Sequence, residues 1–347
     1  MTRRWLALLL ALLGGAAAQA AAPVVTGQWV HALSAFVPPK YPAGYAHVGY
    51  VDPDAPKGGE LRLSNPDRRS SFDKFNPFTI KGVAPAALEM FMFERLCAFT
   101  MDEAQAMYGL LAEAMYVEPD LSAIRFRLRP EARFADGTPL TAEDVADSFR
   151  RLKGRFVQPR YATPLSGVDA VSVEDAHTLR FTLKDRSVDA LFGLGYMPVF
   201  SRRWGGGKPL SEVVTDLPLT TGPYVIDSVQ MPGRISFRRN PQYWARDLPA
   251  RRGHFNFDRI VYRMYQDDAV RREAFKAGEF DIYRELSASQ FARSHQGPKW
   301  RDGRIVKRAF QVDTGSMLQS FNFNLRQPKF QDIRVRRAIA MAINRDA

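Results

Sequence analysis

The 347-residue chain carries 49 Lys and Arg against 37 Asp and Glu, a formal charge of +12, and exceeds the ~100–200 residues of one ordinary domain. A hydrophobic fraction of 46% with 25% charged residues is that of a folded globular protein and excludes wholesale disorder. The one cysteine, Cys97, excludes an internal disulfide framework and any Cys-rich zinc module, and the five histidines are too scattered to suggest a metal or acid–base centre.

Residues 1–22 have the pattern of an export signal. Arg3 and Arg4 give a basic start, 5–13 an apolar stretch, and Ala18-Gln19-Ala20 a small-x-small cleavage pattern. The apolar stretch is shorter than the ~20 residues a membrane helix needs. No cysteine lies near the cleavage site to accept a lipid, so the mature protein is expected to be soluble, periplasmic and not a lipoprotein.

Between 28 and 59, Pro38, Pro39, Pro42, Pro53 and Pro56 forbid a continuous helix and weaken ladder pairing, which predicts an extended wrapping arm. Asp52-Pro53-Asp54 opens like a calcium loop, but Leu63 stands where the closing bidentate Glu is required, and the calcium reading fails. Lys57-Gly58-Gly59 turns the chain into a strand at 60–64. Asn76-Pro77 then marks a loop ending in Lys81-Gly82-Val83. The spacing of Ala87, Met90, Phe91, Glu94 and Cys97 predicts a helix over 85–97, with Pro85 in its first turn and Cys97 a structural thiol without a base partner.

Residues 121–154 carry the clearest signal. Ile124, Phe126 and Leu128 alternate with Arg125, Arg127 and Arg129, the period of a half-buried strand. Asp136-Gly137 makes a turn, Thr141 and Asp144 form a capping box, and Val145, Phe149 and Leu152 share one helical face. Strands at 168–173 and 179–183 flank a turn carrying an exposed His177. Thr221-Gly-Pro-Tyr224 leads into a strand at 224–229, with further strands at 234–238 and 260–265. A helix at 269–277 is capped by Asp268 and stopped by Gly278, and 280–283 resumes as strand. A strand at 319–325 and an apolar helix at 333–343, led in by Asp332, end the chain. Val335, Ile339, Ala342 and Ile343 need a covering surface, which suggests that the polypeptide continues.

The residues themselves give little sign of catalysis. Trp204-Gly-Gly-Gly-Lys208 imitates a phosphate loop, but Pro209 stands where Ser or Thr should hold magnesium. The carboxylate pairs Glu143-Asp144 and Asp267-Asp268 sit at helix starts, where capping accounts for them. The pairs Arg238-Arg239, Arg251-Arg252 and Arg271-Arg272 are dispersed among apolar residues and read as a solvated Arg-rich face rather than a nucleic-acid surface.

The block Phe126-Arg-Leu-Arg-Pro-Glu-Ala-Arg-Phe-Ala-Asp-Gly-Thr-Pro-Leu-Thr-Ala-Glu-Asp-Val145, with Ser148 after it, resembles the hallmark of bacterial extracellular solute-binding proteins of family 5, the dipeptide-, oligopeptide- and nickel-binding proteins of ABC importers. Asn76-Pro77 through Gly82, Thr221-Gly-Pro-Tyr224, Arg239-Asn-Pro-Gln-Tyr-Trp244, Phe275-Lys-Ala-Gly-Glu-Phe-Asp-Ile282 and Phe321-Asn-Phe-Asn324 through Arg345 agree in order. The arm resembles a long-armed branch linked to oligopeptide and microcin-C-type uptake.

This resemblance implies an α/β, bilobal, type II periplasmic binding protein of Venus-flytrap shape, with mixed sheets flanked by helices. Residues 23–72 would be the arm and first segment of lobe I, 73–215 its accessory subdomain and 216–315 its second segment. Residues 316–347 would open a lobe II that is otherwise missing. Lys81, Gly82, Val83, Tyr161, Gly222, Pro223, Tyr224, Asn322, Phe323 and Asn324 match cleft-facing positions, with Lys81 placed to pair with a ligand carboxylate or phosphate. The implied protein is a non-catalytic monomer that needs no cofactor, metal or nucleic acid and passes peptides or peptide-like ligands to an inner-membrane permease. An exported hydrolase or a basic polyanion-binding module remains the alternative.

Overall fold

Alternation and local capping fix most of the elements. The structure is a computed structural model that describes residues 24–65, 70–85, 87–285, 287–310 and 322–343; the expected export signal lies outside them. The chain divides into two units, one ending at Lys307 and one starting at Arg308. Among the described residues no helix is long and apolar enough to cross a membrane.

In chain order the strands of the first unit are β1 (Trp29–Val30), β2 (Ala32–Ser34), β3 (Glu60–Ser64), β4 (Cys97–Phe99), β5 (Ala106–Gly109), β6 (Ala112–Val117), β7 (Ala123–Leu128), β8 (Val168–Val173), β9 (Thr178–Leu183), β10 (Tyr224–Gln230), β11 (Arg234–Arg239) and β12 (Arg259–Arg263). Its helices are α1 (Leu88–Met92), α2 (Ala142–Leu152), α3 (Pro159–Ala162), α4 (Val188–Gly195), α5 (Asp268–Ala277), α6 (Ala288–Arg293) and α7 (Pro298–Arg301). The sheets run β1-β6-β7-β9-β8, β10-β11-β12-β3 and β2-β5-β4. All ladders are antiparallel except β12 with β3, so the mixed sheet arises where the early segment returns beside the late one.

In β7, Ile124, Phe126 and Leu128 are fully buried, while Arg125 pairs outward with Glu118 and Glu174, and Arg127 with Glu113. α2 lays Val145, Phe149 and Leu152 on that sheet, with the Phe149 ring 5.2 Å from Phe181. Its start is fixed by Asp144, whose carboxylate accepts from the Thr141 backbone N–H (3.1 Å), the Thr141 hydroxyl (2.9 Å) and the Arg202 N–H (3.1 Å). The cap therefore also ties α2 to the chain after Ser201.

Several expected elements differ. The helix expected over 85–97 is only α1, because Phe93 turns extended (φ −110°, ψ 111°) and the backbone after it pairs with other strands. Leu96 O accepts from Leu110 and Ala112 N–H, and Glu94 O from Val199 N–H. Cys97 thus belongs to β4, and ladder pairing overrides helical spacing. The arm includes β1 and β2 ahead of its prolines. The cap of α5 is Asp267, which accepts from Val270 N–H at 2.8 Å, whereas Asp268 is already helical and pairs with Arg271. β12 ends at Arg263, and the 280–283 strand reduces to one bridge between Ile282 and Leu63. His177 is half-buried rather than exposed.

The arginine pairs split rather than forming one solvated face. Arg252 and Arg238 are exposed, but Arg251 meets Glu94, Arg239 meets Asp258, and buried Arg271 donates to Asn65 O.

In the second unit, α8 (Pro328–Gln331) and α9 (Ile333–Met341) follow a coil at Asn322, Phe323 and Asn324. The strand expected over 319–325 is absent from 322 onward, and 319–321 lie outside the described residues. Asp332 caps α9 through Arg334 N–H (2.8 Å), as expected, and Ile333, Val335, Ile339 and Ile343 are exposed.

Two outcomes follow from this packing. Asp144→Ala strands two backbone N–H groups at once and is expected to cost about 1–3 kcal/mol in urea unfolding, with Asp144→Asn milder because one carbonyl acceptor survives. His254 is held down to about 4 by burial and by the charges of Arg251 and Lys57, and its Nε2 is buried without a partner among the described residues. An unfolded His titrates near ~6.5, so as pH falls from there toward 4 only the unfolded chain gains the proton, and stability drops. His254→Asn is therefore expected to lose less melting temperature than wild type between pH 7 and pH 4.5.

Candidate functional site

The loop between β3 and α1 has little regular structure, so side chains must satisfy its backbone. Asn76, fully buried, accepts from Phe78 N–H and donates to Leu210 O and Val213 O. Gln158 donates to Pro77 O (3.0 Å) and Thr79 O (2.9 Å). Lys74 is 2% exposed, and its ammonium donates to Thr79 O (2.7 Å), Thr79 Oγ1 (3.0 Å) and Lys81 O (2.5 Å). Burial pushes the Lys74 ammonium below its ordinary range, with Asp73 working against the shift. Asp73 in turn accepts from Val83 N–H at 2.6 Å. Gly82 sits at φ +80°, and a Cβ there would lie 2.8 Å from Asp73 Oδ1, so only glycine fits this turn.

Beside this loop lies a recess of 680 Å³ lined by Gly82, Val83, Glu89, Phe99, Arg160 and Arg251, among others. Three guanidinium groups face two carboxylates in that lining, since Arg95 and Glu94 also contribute. Glu89 accepts from Arg95 (2.9 Å) and from the Tyr161 hydroxyl (2.5 Å), with Arg160 at 3.8 Å. Glu94, 5% exposed at its side chain, takes the forked guanidinium of Arg251 at 3.0 and 2.6 Å and the Tyr243 hydroxyl. Burial disfavours the charge of Arg251, yet Glu94 outweighs it and holds the guanidinium above its ordinary range.

The residues singled out from the sequence are distributed unevenly. Gly82 and Val83 line the recess. Lys81 gives its carbonyl to Lys74 and leaves an exposed side chain outside the lining. Tyr161 is buried against Phe78, with ring centroids 5.0 Å apart, and supports Glu89 from behind; burial and Glu89 together push its phenol up. Gly222, Pro223 and Tyr224 are buried. The Gly222 N–H donates to Met92 O (2.9 Å), and a Cβ there would come 2.4 Å from Phe91 O. Tyr224 donates to Phe257 O (2.7 Å), and burial pushes its phenol up to about 12. These three residues back α1 and do not line the recess. Asn322, Phe323 and Asn324 belong to the second unit, where Asn324 accepts from Arg326 N–H (3.1 Å) and the Phe323 ring lies 5.4 Å from Phe330.

Sequence reasoning missed Glu89, Arg95, Arg160 and the Glu94–Arg251 pair. The available signal was Glu94 itself, a carboxylate on an otherwise apolar stripe, which requires a buried partner. Cys97 is buried with its Sγ 3.4 Å from Met115 Sδ, and burial pushes the thiol up, which suits a structural group. Lys74→Met removes the donor serving Thr79 O and Lys81 O, so the amides of 79–83 are expected to exchange hydrogen faster than in wild type, measured by mass spectrometry at neutral pH.

The profile described as bacterial extracellular solute-binding proteins, family 5 Middle, matches residues 106–347. A putative binding protein of Brucella melitensis is 33% identical over 324 residues, covering 90% of this chain and 52% of its own length. The probable peptide-binding protein YejA of Agrobacterium fabrum is 32% identical over 329 residues, covering 92% and 53%. The chain spans about half the length of the curated relatives it matches. The oligopeptide-binding protein AppA of Bacillus subtilis, solved with a nonapeptide, has a TM-score of 0.60 at 16% identity, covering 84% of this chain and 55% of that one. The α/β fold with its mixed sheet is thus that of the type II periplasmic binding proteins. With the profile spanning more than half of its residues, the chain belongs to family 5 of the bacterial extracellular solute-binding proteins.

Proposed function

We propose that the whole protein is the periplasmic solute-binding component of an ABC importer, which captures peptides or peptide-like ligands and delivers them to an inner-membrane permease. It works as a monomer exported by a cleaved signal at 1–22, without cofactor or catalysis. Membership of the solute-binding family supports this reading, as do the relative named a probable peptide-binding protein and the AppA structure with its nonapeptide. The observation that carries it is the recess beside Gly82 and Val83, where the loop is held rigidly by Asp73, Lys74 and Gln158.

A rigid loop presenting backbone suits ligands read through their main chain, because such contacts give affinity without demanding one side-chain sequence. Lys81, Gly82 and Val83 would then meet the ligand from the first unit, while Asn322, Phe323 and Asn324 stay ligand-binding candidates of the second unit taken by itself. Gly222, Pro223, Tyr224 and Tyr161 would act indirectly, by fixing the wall behind the recess.

Ligand that binds only the native state raises its melting temperature. The full-length protein is expected to gain several degrees in thermal unfolding with at least one pool among dipeptides, oligopeptides, nickel complexes and peptide–nucleotides. Absence of any shift with all four pools at millimolar concentration would sink the proposal.

A further inference from the structure

The recess holds a cation whose N–H donors have no hydrogen-bond acceptor among the described residues. Arg160 lines it with a side chain 56% exposed, and its nearest carboxylate, Glu89, stands 3.8 Å away, beyond hydrogen-bond distance. Its guanidinium carbon lies 4.6 Å from the centroid of the buried Tyr161 ring, within reach of a cation–π contact. Arg95 reaches the other oxygen of Glu89 at 2.9 Å and rests 5.5 Å from the centroid of the Tyr196 ring. Two guanidinium groups thus flank one carboxylate, whereas Arg251 is matched by Glu94 and the Tyr243 hydroxyl. The surplus positive charge of the recess is therefore local to Arg160 and Arg95. The rim beside them is apolar, formed by exposed Met90 and by Phe99 stacked on Tyr196 with centroids 3.5 Å apart.

We propose that Arg160, with Arg95 beside it, forms a subsite for a carboxylate of the bound ligand. This rests on the peptide-binding reading above and moves the anion partner from Lys81, whose side chain lies outside the lining, to a guanidinium inside it. A guanidinium fork matches a carboxylate with two parallel hydrogen bonds. Glu89 steadies the two arginines and neutralises only one of them. The incoming carboxylate completes the balance.

The carboxylate has two possible sources, the C-terminus of a peptide or an acidic side chain, and three probes separate them. Tetra-alanine, tetra-alanine amide and Ala-Ala-Glu-Ala amide are titrated calorimetrically into the full-length protein, its Arg160→Gln variant and its Arg160→Lys variant. Arg160 is exposed enough for both variants to fold. In wild type, tetra-alanine, the Glu-containing amide or both should bind about tenfold more tightly than tetra-alanine amide. Arg160→Gln should remove that advantage and leave the plain amide unchanged, and Arg160→Lys should recover part of it. Equal binding of all three probes by wild type, binding of the plain amide alone, or an acid advantage that survives Arg160→Gln overturns the subsite and leaves the peptide reading standing. Failure of all three probes to bind overturns both.

Discussion

A carboxylate buried at 5% exposure is tolerable only with its charge and lone pairs answered, and Glu94 is answered by Arg251 and Tyr243. This pair joins the turn between α1 and β4 to the segment between β11 and β12. Removing either partner would leave an uncompensated buried charge, which costs about 3–5 kcal/mol. The pair is also part of the recess lining, so the group that holds the wall together contributes no net charge to it. Pairing through a forked guanidinium fixes direction as well as distance, which a lysine at the same place would not do.

The loop at 73–83 solves a related problem with another device. Lys74 is buried with oxygen atoms of Thr79 and Lys81 as its hydrogen-bond acceptors, and burial lowers its affinity for the proton. An ammonium has three donors and no planar preference, so it can gather carbonyls from a chain that curls around it. Asp73 beside it closes the other end through Val83 N–H. Two adjacent residues of opposite charge therefore shape a segment that has no ladder of its own.

What could be read in advance was what is local. β7, α2 with its Thr141 and Asp144 box, the hairpin of β8 and β9, and the Asp332 cap of α9 depend on neighbours within a few residues, and their periods and caps appear directly in the chain. The misread helix at 85–97 shows the limit. Its spacing was helical, but the amides and carbonyls from Glu94 onward found partners at Leu110, Ala112 and Val199. The same limit hid Arg251, whose partner stands 157 residues earlier and which looks like any surface arginine beside Arg252. Lys74 was concealed differently: its acceptors are near in sequence, but nothing in a loop lysine says that the loop will close over it. Gly82 and Gly222 were both matched to cleft-facing positions through the family resemblance. Which of them borders open space and which faces the back of α1 depends on packing alone.

α1 itself has five residues, far below the ~12–15 at which an isolated helix is even marginal. Its existence must come from packing. Phe91 lies 5.1 Å from Tyr224 and 5.5 Å from Phe237, contacts with the sheet containing β10 and β11. The missing side chain at Gly222 lets the backbone just ahead of β10 come close enough for its N–H to reach Met92 O. The opposite side of the same helix offers Glu89 and Met90 to the recess. A wall made this way has no conformation of its own to adopt. Its place is dictated by the β10–β11 sheet behind it, and a bulkier residue at 222 would displace the lining of the recess without touching it.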